Sequence, residues 1–181
     1  EEDTNGFLWI ATLSSIYSCY DLKHGCFVDF TGCGEYKQAY SKKFIASDQS
    51  IWLWHNQNGC RRVVYENGKF SSQAYQKELG NLPTNEVQFV YENEVTPGHI
   101  WIGTQQGLWK YHAGKMESLD AKGQRREHIT SVGQYTCMIT DKNEIYRYTS
   151  SGNQLKKVAS LTELGDAGNV TGSFCLQQEW I

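Results

Sequence analysis

The sequence is poor in proline, with 2 in 181 residues, and none of its apolar runs approaches the ~20 residues that a membrane-crossing helix needs. No direct membrane contact is therefore expected of this segment. It also lacks any block of one charge sign: 17 Lys and Arg stand interspersed with 20 Asp and Glu, for a net charge of −3. Binding to nucleic acid or to an anionic membrane surface needs a basic face or stripe. The short pairs Arg125-Arg126 and Lys156-Lys157 do not make one and read as solvated surface.

Metal and cofactor motifs are missing too. The six cysteines (Cys19, Cys26, Cys33, Cys60, Cys137, Cys175) include no C-x-x-C pair and no histidine at zinc-site spacing. Most are flanked by strand-forming residues, as in Tyr-Ser-Cys-Tyr, so buried free thiols are expected, with one bridge possible in an oxidising compartment. There is no D-x-D-x-D-G calcium loop, and no cofactor is expected. His24, His55, His99, His112 and His128 are scattered over turns without a nucleophile elbow. A glycosidase or lyase needs carboxylates converging from separate loops, which a sequence does not display. Binding without chemistry is the expectation for this segment.

Aromatic residues are abundant: 11 Tyr, 7 Phe and 6 Trp, beside 17 Gly. That bias favours a β-rich chain. The aromatics also recur. Trp9, Trp52 and Trp101 are 43 and 49 residues apart, and Tyr20, Tyr65, Tyr111 and Tyr148 follow at intervals of 45, 46 and 37. A period in the forties built from short strands predicts blades of a β-propeller.

One copy can be parsed by chemistry alone. Val87, Phe89 and Tyr91 alternate with Gln88, Val90 and Glu92, a period-2 strand. Pro97-Gly98 ends a turn, Ile100-Trp101-Ile102 reads as a strand buried on both faces, and Gly103 to Gly107 turns again. Leu108 to Tyr111 and Lys115 to Leu119 complete four strands. The same parse places blades at about 1–32, 43–75, 86–120 and 128–160, with 169–181 starting or completing a further one. The first blade lacks its innermost strand in this reading. The chain thus starts and stops out of phase with its blades, and Glu1 falls inside a repeat without a preceding Met, as expected of a piece of a longer protein. All-β propeller architecture is predicted, either a four-blade arc of a larger ring or a closed four-bladed ring.

The runs Asp3 to Thr12 (DTNGFLWIAT), Leu82 to Asn85 (LPTN) and Gly98 to Leu108 (GHIWIGTQQGL) resemble the two-component-regulator propeller repeat. Such repeats form the periplasmic sensor region of hybrid histidine kinase/response regulator systems in Bacteroidetes-type bacteria. The resemblance implies a periplasmic segment that senses an oligosaccharide as part of a homodimeric receptor controlling polysaccharide utilisation. Histidine kinase activity would lie in sequence outside this segment. A propeller-fold lyase or glycosidase, or a scaffold that only dimerises, are the alternative readings.

The repeated Trp9, Trp52 and Trp101 sit mid-strand at equivalent positions, as blade-packing residues do. Departures from the repeat rule are better places to seek function. Trp54 and His55 replace Gly-Thr, Arg61 and Arg62 follow where Gly-Leu and its successors are expected, and Trp109 replaces an often polar position. An aromatic ring beside hydrogen-bond donors suits a sugar or an acidic sugar's carboxylate. These five are the predicted ligand-binding residues.

Overall fold

The computed structural model describes residues 1–11, 17–28, 40, 42–92, 96–120, 124–132, 135–149 and 154–161. Among them the chain forms fifteen strands and one short 3-10 turn at Lys77–Leu79. The predicted strand beginning at Asn169 lies outside the described residues. The chain divides into two compact units, Glu1–Val90 and Tyr91–Ile181.

In the first unit, β1 (Phe7–Ala11), β2 (Tyr17–Asp21) and β3 (Cys26–Phe27) form a three-stranded antiparallel sheet. On its side away from β2, β1 meets the first residues of the chain. Glu2 bridges Leu8, the Trp9 N–H donates to the Glu1 carbonyl at 2.9 Å, and the Asp3 N–H donates to the Phe7 carbonyl at 3.0 Å. A tight turn makes this possible: Gly6, at φ 81°, donates its N–H to the Asp3 carbonyl at 3.2 Å. Residues 1–3 thus run against the start of β1 through one isolated bridge, outside the three-stranded sheet.

Beside it, β4 (Lys42–Ile45), β5 (Ile51–His55), β6 (Gly59–Glu66) and β7 (Lys69–Tyr75) make a four-stranded meander in chain order. Its first turn repeats the Asp3–Phe7 pattern. The Ala46 N–H donates to the Ser50 carbonyl, and the Gln49 N–H to the Ala46 carbonyl, both at 2.9 Å. Directly opposite residues of an antiparallel pair share a face. The pairs Ile45↔Ile51, Lys43↔Leu53 and Ile51↔Val63 therefore put one apolar face on this sheet. That face packs with Phe7, Trp9 and Cys19 of the first sheet, and Phe70 meets Phe7 and Trp9 edge-on at 4.9 and 6.1 Å between centroids.

The boundary between units falls within β8 (Val87–Glu92). This strand joins β9 (Ile100–Thr104), β10 (Gly107–His112) and β11 (Lys115–Asp120) in a third antiparallel meander. The fourth comprises β12 (Arg126–Val132), β13 (Tyr135–Thr140), β14 (Glu144–Thr149) and β15 (Gln154–Ser160). Four-stranded meanders repeated along the chain are the blades of a β-propeller.

Trp9, Trp52 and Trp101 are 2%, 0% and 0% exposed, so the repeated tryptophan is core in all three. Trp101 meets Tyr148 edge-on at 4.4 Å. Cys137 stands at that position in the fourth blade, and it is buried too. Arg126 is wholly buried, ion-paired with Asp120 and stacked 4.5 Å above the Tyr146 ring. Of the cysteines described, Cys19, Cys60 and Cys137 are buried free thiols, while Cys26 is exposed on β3. Burial drives the Cys19 thiol up to about 12, with Asp3 and Asp21 adding to the rise, so it is an inert thiol packed in the core.

Candidate ligand site at the second blade

The hairpin of β5 and β6 carries four of the five predicted site residues. Its register sets Trp52 opposite Arg62, Leu53 opposite Arg61, Trp54 opposite Cys60 and His55 opposite Gly59. Trp54 and Arg62 therefore share one face of the blade, and His55 and Arg61 share the other. The sheet divides them two and two. Trp109 lies in β10 of the other unit, where the pair Thr104↔Gly107 matches His55↔Gly59 and makes Trp109 the counterpart of Arg61.

His55 performs a task that threonine performs in the later blades. Its Nδ1 accepts the Gln57 N–H at 3.2 Å. In the third blade Thr104 Oγ1 accepts the Gln106 N–H at 3.1 Å, and in the fourth Thr140 Oγ1 accepts the Lys142 N–H at 3.3 Å. Each acceptor satisfies the amide two residues on, as a hydroxyl does in a Ser/Thr turn. Sequence reasoning saw a broken rule at His55; the hydrogen bond shows the turn conserved by a different side chain. With Nδ1 accepting, the neutral ring carries its proton on Nε2, which remains a donor.

The hairpin tip is tied down by the connector after β7. Gly59, at φ 71°, donates its N–H to the Asn85 carbonyl at 2.8 Å, and a Cβ there would lie 2.2 Å from the Tyr75 carbonyl oxygen. The Asn58 carbonyl accepts from Gln76 Nε2 at 3.0 Å. Within the connector, Asn85 Oδ1 accepts the Lys77 N–H at 2.8 Å, and Asn85 Nδ2 donates to both Glu78 carboxylate oxygens at 2.9 and 2.8 Å. The Asn85 bond is the chief cause holding the Glu78 carboxyl below its ordinary range. Asn85 ends the Leu-Pro-Thr-Asn signature, so the signature's asparagine organises the loop that clamps the hairpin.

The other predicted residues are engaged in the sheet. Trp54 is 7% exposed, and its Nε1 donates to the Gln88 carbonyl at 3.3 Å. Arg61 is buried; Nη1 donates to Ser72 Oγ at 2.7 Å and Nε to the Tyr40 hydroxyl at 3.4 Å. Burial raises the Tyr40 phenol, with Arg61 pulling the other way. Arg62 Nη2 meets Asp48 Oδ2 at 2.7 Å, and Asp48 Oδ1 accepts the Ser50 N–H at 2.9 Å and its hydroxyl at 2.5 Å. Burial alone would raise the Asp48 carboxyl, but Ser50 and Arg62 outweigh it and hold it low. Trp109 is half-buried, opposite Ile102 on one side and Ser118 on the other.

The part of this hairpin open to solvent is its tip, where Asn56 and Gln57 are exposed and His55 half-exposed. It offers amide and imidazole hydrogen-bonding groups that match hydroxyl-rich ligands. Among the described residues, no group of three or more His, Cys, Asp and Glu has metal-ligand geometry.

No family model matches the sequence, and no curated protein matches it. Solved structures do. The extracellular domain of the proposed one-component system BT4673 from B. thetaiotaomicron superposes with a TM-score of 0.62 at 17% identity, over 87% of this chain and 21% of that one. The extracellular domain of the proposed hybrid two-component system BT3049 from the same organism gives 0.58 at 15% identity, over 86% and 22%. The likeness is one of fold. This chain spans about a fifth of the length of those two domains. YCF48 bound to D1 peptide is similar as well, with a TM-score of 0.53 at 14% identity, over 82% of this chain and 49% of that one.

Proposed function

We propose that this chain is a propeller segment from the extracytoplasmic, periplasmic ligand-sensing region of a hybrid two-component receptor. The observation that carries this reading is the blade architecture, shared over most of the chain with the extracellular domains of two bacterial sensor systems. The segment binds and does no chemistry. In this proposal a glycan fragment binds one arrangement of a receptor homodimer more tightly than the other, and that difference in affinity shifts the equilibrium read by output domains elsewhere in the parent. The hairpin tip at His55 to Gln57 is the surface this segment offers. Trp54, Arg61 and Arg62 hold the blade that presents it, and Trp109 occupies the corresponding blade position in the other unit.

Deleting the parent gene and growing the cells on single polysaccharides tests the reading. Loss of induction of one set of polysaccharide-utilisation genes is expected. Unchanged induction on every polysaccharide would contradict it.

A further inference from the structure

The outer ends of β9 and β10 carry two imidazoles side by side. Ile100 pairs with Tyr111, so one further step along each strand sets His99 opposite His112. Their ring centroids are 4.0 Å apart, with the planes at 66°. His112 Nδ1 lies 3.3 Å from the Gly98 carbonyl, which accepts its proton and leaves Nε2 with a free lone pair in the neutral ring. His99 makes no side-chain hydrogen bond among the described residues.

Lys110 sits two residues from His112 and lies 3.7 Å from the Glu117 carboxylate on β11. Lys115 is opposite His112, and Glu92 at the end of β8 accepts the Gly98 N–H. Burial first, then His112 and Lys110, lowers the basicity of His99.

We propose that His99 and His112 form a binding site for a divalent transition-metal ion of the zinc, nickel and copper class, which clips the open end of the β9–β10 ladder. Two imidazoles in contact offer the nitrogen donors these ions prefer, whereas Mg²⁺ and Ca²⁺ select oxygen donors. Holding one ion at metal–nitrogen bonds of about 2.0–2.1 Å requires the two side chains to rotate until a nitrogen of each ring faces it. Water completes the coordination. The ion would join the connection entering β9 to the turn leaving β10, across the two central strands of the blade. This site is independent of the sensing reading and of the His55 hairpin.

The test is calorimetric titration of the untagged protein with NiCl₂ and ZnCl₂, with MgCl₂ as control. One saturable ion per chain is expected for nickel and zinc and none for magnesium. His99→Gln and His112→Gln, each checked for native circular dichroism, should weaken binding by about tenfold or more, which is about 1.4 kcal/mol or more. Imidazole ¹H–¹⁵N spectra of the wild-type protein give a readout that does not depend on a variant folding. The His99 and His112 resonances should shift on adding metal. Absence of saturable heat, undiminished affinity in a folded variant, or shifts confined to His24, His55 or His128 would overturn the proposal.

Discussion

The Trp9 indole N–H donates to the Asp3 carboxylate at 2.9 Å, and both residues are buried. The other carboxylate oxygen accepts the Asn5 and Phe7 N–H groups at 2.9 and 3.1 Å, so one aspartate fixes the first turn and the first core tryptophan together. Asp3→Ala strands three donors, at least one of them deep in the core. A loss of about 2–4 kcal/mol is expected, since a buried donor left unmade costs about 1–3 kcal/mol. Urea unfolding followed by Trp fluorescence measures it, and Asp3→Asn should recover part of the loss.

Gly59 has no room for a side chain. The 2.2 Å approach of an added methyl to the Tyr75 backbone oxygen cannot be relieved by a side-chain rotation, and φ of 71° is unfavourable for alanine. Gly59→Ala should therefore destabilise by about 2 kcal/mol or more. Gly68 is the control: it too has positive φ, but no atom lies within 4 Å of where its Cβ would stand. Gly68→Ala should cost about 1 kcal/mol. Equal losses in denaturant titrations would refute the steric account of Gly59.

If His55 caps its turn as Thr104 and Thr140 cap theirs, threonine can replace it. His55→Thr should leave stability within about 0.5 kcal/mol, while His55→Ala should lose about 1 kcal/mol through the unpaired Gln57 amide. Thermal unfolding of the two variants separates these outcomes. The comparison also separates turn from ligand: binding that falls in a stable His55→Thr protein assigns the ring to the ligand.

The strands were legible because the alternation and turn chemistry are local. Ile100-Trp101-Ile102 reads from its sequence as a buried strand, and β9 (Ile100–Thr104) contains it but runs two residues further, through the Gly103-Thr104 that the sequence reads as turn. Local patterns also identified Trp9, Trp52 and Trp101 as core. The site was less legible because its meaning lies in pairing register. Trp54 and His55 are neighbours in sequence, but alternation puts them on opposite faces, with Arg62 and Arg61 respectively. The role of Asn85 depends on Gly59, 26 positions earlier, and no local pattern announces that contact. The Glu1–Asp3 pairing with β1 was missed because three residues are too few to show a period.

Asp48 gives a pH dependence whose sign follows from its neighbours. Its carboxyl is held below the ordinary aspartate value of about 4, so the folded protein binds that proton less tightly than the unfolded chain. The stability it contributes is present above about pH 4 and is lost as pH falls through the lower folded value. The group is nearly half exposed and solvent screens it, so the contribution is below about 1 kcal/mol. Asp48→Asn should flatten the acid limb of a stability–pH curve while leaving its slope above pH 5 unchanged. An unaltered acid limb would show that the Arg62 and Ser50 contacts do not favour the charged form.

Binding without chemistry is tested most directly by calorimetry on the parent's complete extracytoplasmic region with a panel of oligosaccharides, each sample analysed afterwards by chromatography. Saturable heat with one glycan class, recovered chemically unchanged, is the predicted result. Shortened or unsaturated products in the recovered sugar, or no heat with any glycan, would contradict it.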